Sequence, residues 1–136
     1  MKIKLDSGAF VPVRAHGTDA GADLRSPVDA PVPPRSSRVI DTRVHIQLPH
    51  GYVGMLKSKS GLYVKHDITS EGVIDEGYTG PIKVKPYNHG DEYYVIERGD
   101  KISQPVIVPC EYVDFEVVDK LDNSERGGDG FGSTGK

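Results

Sequence analysis

Short alternations of apolar and polar residues run along most of the chain. Residues 44–48 read Val-His-Ile-Gln-Leu, residues 82–85 read Ile-Lys-Val-Lys, and residues 113–118 read Val-Asp-Phe-Glu-Val-Val. A period of two is typical of a strand that buries one face. Turn sequences, Pro49-His50-Gly51 and Asn88-His89-Gly90, follow the first two segments. The pattern therefore predicts short strands joined by tight turns.

Helix signals are scarce. Ten prolines are scattered through the chain, and proline is unfavourable inside helices and central strands. Only residues 61–66 are predicted to form a helical turn or two, with Ser60 as the N-cap. Many short strands with close turns indicate an all-β sandwich, jelly roll or barrel. We expect one such domain over residues 1–122 and a flexible, glycine-rich arm over residues 123–136.

The composition argues against binding to nucleic acid or membranes and favours a reducing cellular compartment. A net charge of −3 provides no basic field to attract nucleic acid or an anionic membrane. No apolar run approaches the roughly 20 residues of a membrane span, and the N-terminus lacks the apolar stretch of a signal peptide. The single cysteine, Cys110, excludes an internal disulfide framework and fits a reducing compartment. We therefore expect a cytoplasmic protein that binds neither nucleic acid nor membranes.

The end of the chain has the chemistry of a phosphate ligand. Residues 126–134 read Arg-Gly-Gly-Asp-Gly-Phe-Gly-Ser-Thr, a composition that cannot form a core. It offers backbone N–H groups, two hydroxyls and a guanidinium, all of which can bind phosphate, and Phe131 offers a face for a base. In isolation the segment is equally typical of a frayed terminus. The segments that precede it decide between these interpretations.

Two of these segments place polar groups in tight turns or before the candidate helix. Residues 20–24 read Ala-Gly-Ala-Asp-Leu, and taken alone the aspartate is ordinary turn chemistry. Residues 57–62 read Lys-Ser-Lys-Ser-Gly-Leu and lead into the one predicted helix. Free N–H groups at a helix start favour an anion. Solvated loop lysines explain the second segment equally well.

Two further segments follow. Residues 72–80 read Gly-Val-Ile-Asp-Glu-Gly-Tyr-Thr-Gly. Their apolar pair runs directly into Asp75, which predicts a carboxylate at the lip of a packed strand, able to orient a water and accept its proton. Residues 99–104 read Gly-Asp-Lys-Ile-Ser-Gln, a turn that leads into a strand carrying the amide of Gln104. By itself this last segment is only a hairpin.

Together and in this order, the five segments resemble the motifs of the trimeric dUTPases, from Ala20 to Gly135. The third motif, Gly-Val-Ile-Asp-x-x-Tyr-x-Gly, and the fifth, Arg-Gly-x-x-Gly-Phe-Gly-Ser-Thr, are the specific ones, and both are present. The resemblance implies a distorted jelly roll or β-barrel with at most one short helix. It also implies a homotrimer whose active sites are shared between subunits.

The resemblance implies how the catalytic groups act. Asp75 would activate the water that attacks the α-phosphorus of dUTP, releasing dUMP and pyrophosphate. Mg²⁺ would be chelated by the triphosphate, and Asp23 would reach only its hydration shell, since Mg²⁺ dehydrates reluctantly. Gln104 would position the α-phosphate and the attacking water. The expected phosphate ligands in the second motif are Lys59, Ser60 and Gly61.

The third motif would also read the base and the sugar. By the same resemblance, Gly72 and the backbone of Val73 and Ile74 would bind uracil inside a β-hairpin, with Lys83 on the other strand of that hairpin. Tyr78 would pack under the deoxyribose and leave no room for a 2′-hydroxyl. These implied contacts predict selection against cytosine, 5-methyluracil and ribose.

The fifth motif would close over the bound substrate. Arg126, Ser133 and Thr134 would bind the γ-phosphate, next to Gly132, while Phe131 stacks on the base. An arm that orders over substrate is a lid, and it also excludes water.

The chain departs from the family pattern at several positions. Lysine stands at 59 and at 101 where the family usually has arginine, and Asp129 stands where it usually has glycine. Lysine keeps the charge but loses the planar, two-pronged donor of arginine. The stretch between Ile68 and Gly72 is also shorter than in many relatives. These differences concern phosphate binding rather than the type of reaction.

Three other functions were compared with this one. A dCTP deaminase shares the fold, but its catalytic glutamate would fall on Lys85, which cannot shuttle a carboxyl proton. A non-catalytic nucleotide-binding module remains an alternative that a pyrophosphate-release assay with dUTP would decide. A metal hydrolase is disfavoured because the histidines lack ligand spacing such as His-x-x-x-His. These histidines are His16, His45, His50, His66 and His89.

Overall fold

A computed structural model describes residues 1–128 of the chain, and within them the fold is almost entirely β. The strands are β1 (Lys2–Leu5), β2 (Leu24–Arg25), β3 (Ala30–Val32), β4 (Ser36–Ser37), β5 (Ile40–Asp41), β6 (Val44–Gln47), β7 (Tyr52–Lys57), β8 (Ile68–Thr69), β9 (Gly72–Ile74), β10 (Lys83–Val84), β11 (Tyr87–Asn88), β12 (Tyr94–Ile96) and β13 (Lys101–Pro109). A single helix, α1 (Ser60–His66), interrupts them. The predicted all-β class, of the jelly-roll type, is confirmed.

The strands form small antiparallel sheets, of which the largest organises the molecule. Its order is β2-β13-β7-β9, with β13 paired along the whole of β7 and β9 paired with residues 54–56 of β7. The other sheets pair β1 with β6, β5 with β10, β3 with β12, and β11 with both β4 and β8. β9 is thus an edge strand of the central sheet, while β10, which follows it along the chain, belongs to a different sheet.

The alternating segments are the ones that bury their apolar face. Val44, Ile46 and Leu48 are buried, and so are Ile82 and Val84, as the period of two predicts. They join a single core with the following buried residues: Leu24, Ala30, Val32, Ile40, Leu56, Ile74, Ile96 and Ile102. Every buried polar side-chain atom in the described part of the chain has a hydrogen-bond partner. The core therefore sits between the small sheets and holds their turns in place.

The helix differs from the prediction by one residue. It begins at Ser60, and the N-cap is Lys59, whose backbone is extended (φ −79°, ψ 124°) and whose side chain makes no capping hydrogen bond. The prediction of Ser60 as the N-cap is therefore wrong, because the cap position depends on where the backbone turns and not only on side-chain preference. None of the helical residues is buried. No helix within residues 1–128 is long and apolar enough to span a membrane.

The predicted strand over residues 113–118 does not form in this chain. Residues 110–128 contain no strand or helix, and Phe115 and Val117 are 93% and 98% exposed. The alternation is present, but none of the strands within residues 1–128 pairs with this segment. An alternation of apolar and polar residues shows that a segment can form a strand and bury one face. It does not show which strand the segment pairs with.

Candidate functional site

The first group of predicted site residues surrounds the carboxylate of Asp23. This residue is buried, and its oxygens lie 2.5 Å from Nζ of Lys59 and 2.7 Å from Nζ of Lys101. Burial favours a raised pKa for Asp23, but the hydrogen bonds from Lys101 and Lys59 outweigh it and hold the pKa below its usual value. Asp23 is therefore a carboxylate that keeps two cations side by side.

The fold brings these residues together from distant parts of the chain. Asp23 precedes β2 and forms a bridge with Val13, while Lys101 starts β13, which pairs with β2. Lys59 follows β7, the other neighbour of β13. The group therefore lies where β2, β13 and β7 reach the same end of the central sheet.

Gln104 lies beside this group and is held from two sides. Its Oε1 is 3.5 Å from Nζ of Lys59, and its Nε2 donates to the carbonyl of Ser58 at 3.2 Å. Gly21 lies directly against it, since a Cβ at that glycine would be 2.9 Å from Cβ of Gln104. The amide is thereby fixed next to the lysine that is predicted to bind phosphate.

The loop that carries Lys59 is fastened to β9 at its base. The Ser58 hydroxyl donates to the carbonyl of Ser70 at 3.2 Å and accepts from the Ser70 N–H at 2.9 Å. Lys57 forms an ion pair of 2.8 Å with Glu71. Beyond this anchor, Ser60 and Gly61 are exposed at the helix start, and a Cβ at Gly61 would meet nothing within 4 Å. The two predicted phosphate ligands are thus open to solvent.

The second group lines a cavity of about 340 Å³ beside β9. The cavity contains most of the residues predicted to read base and sugar, and its lining consists of Leu56, Gly72, Val73, Ile74, Asp75, Tyr78, Ile82 and Lys83. One edge of β9 pairs with β7, and its other edge has no neighbouring strand in the described residues. Unpaired strand edges offer backbone N–H and C=O groups for hydrogen bonds.

The prediction for Lys83 needs a correction in detail. Lys83 does line the same cavity as Gly72, but β10 pairs with β5 and not with β9. The expected hairpin is therefore splayed, because Ile82 is drawn into the core and its N–H donates to the carbonyl of Val44. This separation is what leaves the edge of β9 open.

Asp75 and Tyr78 stand at the rim of the cavity. Asp75 is exposed, and its carbonyl accepts the N–H of Tyr78 at 3.2 Å, which closes the turn after β9. The Tyr78 hydroxyl donates to the carbonyl of Pro81 at 3.0 Å, and its ring lies over Gly80, where a Cβ would be 2.5 Å from the hydroxyl oxygen. The absence of a side chain at Gly80 thus allows the ring to lie flat beside the cavity.

The two groups of site residues are separate within one chain. If the register of β9 is continued by one residue, Asp75 lies opposite Val53 of β7, which pairs with Val108 of β13. Val108 is four residues along β13 from Gln104, and β9 lies two strands away from β13. With about 3.3 Å per residue and about 4.8 Å per strand, the two backbones lie about 16 Å apart. The Gln104 amide also donates to the carbonyl of Ser58, which lies five residues along the chain from Val53 in the Asp75 row. The structure therefore assembles two half-sites and does not join them.

Several residues of these half-sites were missed from the sequence as site residues. Lys101 was noted only as a departure from the family pattern, although it contacts Asp23 directly. Gly21 was seen as part of a turn, and the structure shows that it makes room for Gln104. Glu76 was passed over, yet its carboxylate binds the N–H of Gly51 at 2.8 Å. Each of these residues lies inside a motif, within three residues of one already selected as a site residue, and this position was the sequence signal that could have identified it.

His45 was considered in the sequence only as a possible metal ligand, and the structure gives it a specific place. Its Nδ1 lies 2.8 Å from the carbonyl of Thr79, and its Nε2 lies 2.8 Å from the Asp6 carboxylate. The hydrogen bond to Asp6, helped by that to Thr79, raises the pKa of His45. This side chain ties the loop that carries Tyr78 to the N-terminal strand. No motif signals it, because the partners are far apart in sequence.

The fifth motif lies mostly beyond the described residues. Arg126 is described and has an interaction within the chain. Asp129, Phe131, Gly132, Ser133 and Thr134 lie outside the described residues, so their predicted roles remain predictions. Within residues 1–128 no group of three or more His, Cys, Asp or Glu side chains could hold a metal ion.

Comparisons with known proteins give the same answer as the motifs. A model of the dUTPase family matches residues 8–135. The deoxyuridine 5'-triphosphate nucleotidohydrolase of Gloeothece citriformis (strain PCC 7424) is 42% identical over 135 residues, which cover 97% of this chain and 93% of that protein. The enzyme of the same name from Clostridium kluyveri is 44% identical and matches 97% of this chain and 94% of its own length.

Solved structures of phage dUTPases share the fold. A glycine-to-serine variant of the dUTPase of Staphylococcus bacteriophage 80alpha with dUpNHpp has a TM-score of 0.92 at 33% identity and covers 99% of this chain and 98% of its own. An aspartate-to-asparagine variant of the dUTPase from phage phi11 of S. aureus, whose structure reveals a structural Mg(II) ion, has a TM-score of 0.82 at 29% identity and covers 90% of this chain and 98% of its own. On the match of family, sequence and fold over nearly its whole length, the chain belongs to the dUTPase family.

Proposed function

We propose that the protein hydrolyses dUTP to dUMP and pyrophosphate by attack of water at the α-phosphorus, with Asp75 as the general base. The reaction follows from membership of the dUTPase family over nearly the whole chain. It limits uracil incorporation into DNA and supplies dUMP for dTTP synthesis. The assignment of Asp75 as the base rests on its position. It is an exposed carboxylate directly after an edge strand, on the rim of a cavity of about 340 Å³.

Asp75 would act on a water at this rim. The turn after β9 is closed by the hydrogen bond between the Tyr78 N–H and the Asp75 carbonyl, so the carboxylate projects from a fixed backbone. In the proposed step, Asp75 accepts a proton from the water while the water oxygen bonds to the α-phosphorus. The bond from that phosphorus to the bridging oxygen breaks, and pyrophosphate leaves with the electron pair.

The cavity beside β9 suits a planar base. Gly72, Val73 and Ile74 present the open edge of β9, whose N–H and C=O groups can pair with the donor and acceptor edge of uracil. Tyr78 at the rim would pack under the deoxyribose, and Lys83 borders the other side. Backbone groups in a narrow slot discriminate by shape and hydrogen bonding, which favours uracil over cytosine and over a 5-methylated base.

The Asp23 group supplies positive charge for the triphosphate. Lys59 and Lys101 keep 24% and 42% of their side chains exposed while they bind the carboxylate between them. Both ammonium groups can therefore also reach an incoming phosphate without leaving Asp23. Ser60 and Gly61, at the start of α1, add a hydroxyl and an open backbone on the same loop.

Mg²⁺ fits this half-site through water rather than by direct ligation. Both oxygens of Asp23 already bind lysine, and residues 1–128 offer no cluster of side chains that could hold a metal. Mg²⁺ commonly binds through substrate phosphates and water, so Asp23 would contact the hydration shell of an ion that the triphosphate chelates. Bound there, the ion neutralises charge on the phosphates. Gln104, fixed beside Lys59, would orient the α-phosphate.

A homotrimer with shared sites is part of the proposal. The separation of about 16 Å between Asp75 and Gln104, estimated from strand spacing, supports a site whose halves come from different subunits. The exposed alternation over residues 113–118 supports a partner chain, since Phe115 and Val117 lie bare in the single subunit. The arm with Arg126, together with residues 129–136, would close over the γ-phosphate and the base as a lid. A cytoplasmic location is also part of the proposal. It is supported by the single cysteine, Cys110, which fits a reducing compartment.

Turnover of a panel of nucleotides with Mg²⁺ tests the proposed function. The panel contains dUTP, dCTP, dTTP, the purine deoxynucleotides and UTP, and release of pyrophosphate is measured. Cleavage limited to dUTP is the expected result. The matched variant Asp75→Asn should still bind dUTP but turn over about 10²- to 10⁴-fold more slowly, the usual share of a general base. Turnover within about threefold of the unmodified enzyme would remove Asp75 from this role.

A further inference from the structure

The carboxylate of Glu76 is held by three groups from two other parts of the chain. Its Oε2 accepts the backbone N–H of Gly51 at 2.8 Å and the hydroxyl of Tyr112, and its Oε1 lies 2.9 Å from Nδ1 of His50. The hydrogen bond from Tyr112, followed by those from His50 and Gly51, lowers the pKa of Glu76 to about 2. The same bond raises the pKa of Tyr112 to about 12. Glu76 is thus an anion with a defined set of donors.

These contacts fasten the turn after β9 to two neighbours. Gly51 lies in the turn before β7, and its own carbonyl accepts the N–H of Cys110 at 2.8 Å. Tyr112 belongs to the segment that leaves β13 and leads to the C-terminal arm. The Glu76 side chain is only 29% exposed, whereas His50 is 87% exposed. The bond to Gly51 is therefore the link best shielded from solvent, because exposed pairs contribute little. Tyr112 is 61% exposed, and its bond connects the turn to the segment that follows β13.

Glu76 directly follows Asp75 and precedes a glycine in the left-handed region. Gly77 has φ +85°, a conformation that side chains rarely adopt, and the chain reverses there. A rotation of the backbone around residue 76 would swing the Asp75 carboxylate out of line with the cavity. The side chain of Glu76 is the one contact in the turn that reaches both the 49–51 turn and Tyr112 among the described residues.

We propose that Glu76 is a positioning residue for the reaction, which fixes the direction of the Asp75 carboxylate through its hydrogen bonds to Gly51 and Tyr112. The inference rests on the proposed function, in which Asp75 is the general base. It extends that function by giving the second residue of the turn a task that does not involve contact with substrate. A change in the direction of the Asp75 carboxylate should affect the chemical step more than substrate binding. Misplacement of a catalytic group by about 1 Å can lower the rate about 10²-fold.

The central experiment compares Glu76→Gln with the unmodified enzyme in single-turnover hydrolysis of dUTP. Glutamine keeps the shape of the side chain. However, the charged Oε2 that accepts from both Gly51 and Tyr112 becomes either a neutral carbonyl oxygen or an NH₂ group that cannot accept a hydrogen bond. We expect the single-turnover rate to fall by about 10- to 100-fold. The dissociation constant of the non-hydrolysable analogue dUpNHpp should stay within about threefold, since the variant leaves the binding groups in place. Glu92→Gln, at an exposed glutamate outside the five motif segments, is the matched control and should be unchanged.

Tyr112→Phe provides a second variant that removes a single hydroxyl. It should slow the chemical step in the same direction, and the double variant with Glu76→Gln should be no slower than Glu76→Gln alone, because the two residues act through one hydrogen bond. If Glu76→Gln does not fold, Tyr112→Phe alone decides by the same two measurements.

Each outcome supports or overturns the inference. A slower chemical step with unchanged analogue binding and unchanged melting temperature supports it. A rate within about twofold of the unmodified enzyme, or a loss of rate matched by equal losses in binding and melting temperature, overturns it. Asp75→Asn is measured in parallel: if that variant keeps its activity, the proposed function fails first, whereas an inactive Asp75→Asn beside a fully active Glu76→Gln rejects only the role of Glu76.

Discussion

Gly21 lies directly against the side chain of Gln104. A Cβ built at Gly21 would be 2.9 Å from Cβ and 3.1 Å from Oε1 of Gln104. The backbone of Gly21 is held in place by its bridge to Val106, and the residue is buried. Any side chain at this position must therefore displace the glutamine near its root, where it has little freedom to move.

Gly21→Ala should disturb the half-site around Asp23. We expect a loss of about 1–3 kcal/mol in the free energy of unfolding, as for other overpacked sites. Displacement of Gln104 should also lower kcat/KM for dUTP by about 10-fold or more, through misplacement of a positioning group. Steady-state kinetics and urea unfolding measure the two effects. Gly17→Ala is the control, because a Cβ at Gly17 would meet nothing within 4 Å.

Tyr78→Ala should relax the discrimination between dUTP and UTP. The ring lies at the rim of the cavity and would form the wall under the sugar. Its removal gives space for a 2′-hydroxyl, so the ratio of kcat/KM for the two nucleotides should fall. Tyr78→Phe is the matched control: it loses only the 3.0 Å hydrogen bond to the Pro81 carbonyl and keeps the ring. An unchanged ratio in Tyr78→Ala would place sugar selection elsewhere.

Asp23→Asn should destabilise the protein in a pH-dependent way. The pKa of Asp23 is lower in the folded chain than its ordinary value of 3.8. A carboxyl of this kind stabilises the fold above its unfolded pKa and loses that contribution as the pH falls through its folded pKa. We expect the variant to be less stable by about 1–3 kcal/mol at about pH 7, a typical value for charged hydrogen bonds. The difference should shrink as the pH falls below the ordinary value of 3.8 and through the lower pKa of the folded chain.

Urea unfolding at fixed protein concentration measures this difference at each pH. Asp114→Asn, at an exposed aspartate, is the control and should follow the unmodified protein at every pH. A difference between Asp23→Asn and the unmodified protein that is independent of pH would mean that the lysine contacts do not carry the stabilisation.

Mixed trimers test whether the active site is shared. A chain truncated after Asn123 lacks the arm, and Asp75→Asn lacks the base; each alone should be folded and nearly inactive, since residues 123–128 are exposed and lie outside the core. Co-expression of the two should restore partial activity, because some junctions combine an intact Asp75 with an intact arm from another subunit. Mixed trimers, identified by mass, that are no more active than the separate variants would reject the shared site.

Much of the β structure could be predicted from the sequence. The segments at 44–48 and 82–85 bury their apolar positions as expected, because both lie between residues that complete one core. The same period of two at 113–118 led to a strand that the single chain does not form. The difference is the availability of a neighbour, which depends on the tertiary arrangement and on partner chains.

In the candidate site, too, some features could be predicted from local sequence and others depend on the tertiary arrangement. Asp23, Asp75, Tyr78 and Gln104 were selected from their motifs. The structure places Asp23 and Gln104 beside Lys59, and Asp75 and Tyr78 on the cavity beside β9. The contacts of Glu76 were not predictable from local sequence, since its partners lie 25 and 36 residues away along the chain. Side-chain chemistry can be read from a motif, but the donors that surround it come from remote segments.

The family, the all-β class and the chemical type of each motif residue can be predicted from the sequence alone, because they depend on local patterns and on residue identity. The fold was needed to show that Lys59 and Lys101 share the carboxylate of Asp23 and that the hairpin after β9 is splayed. It also decided that Asp75 lies far from Gln104 within one chain. The physical reason is that sheet pairing fixes distances between residues that no local pattern relates.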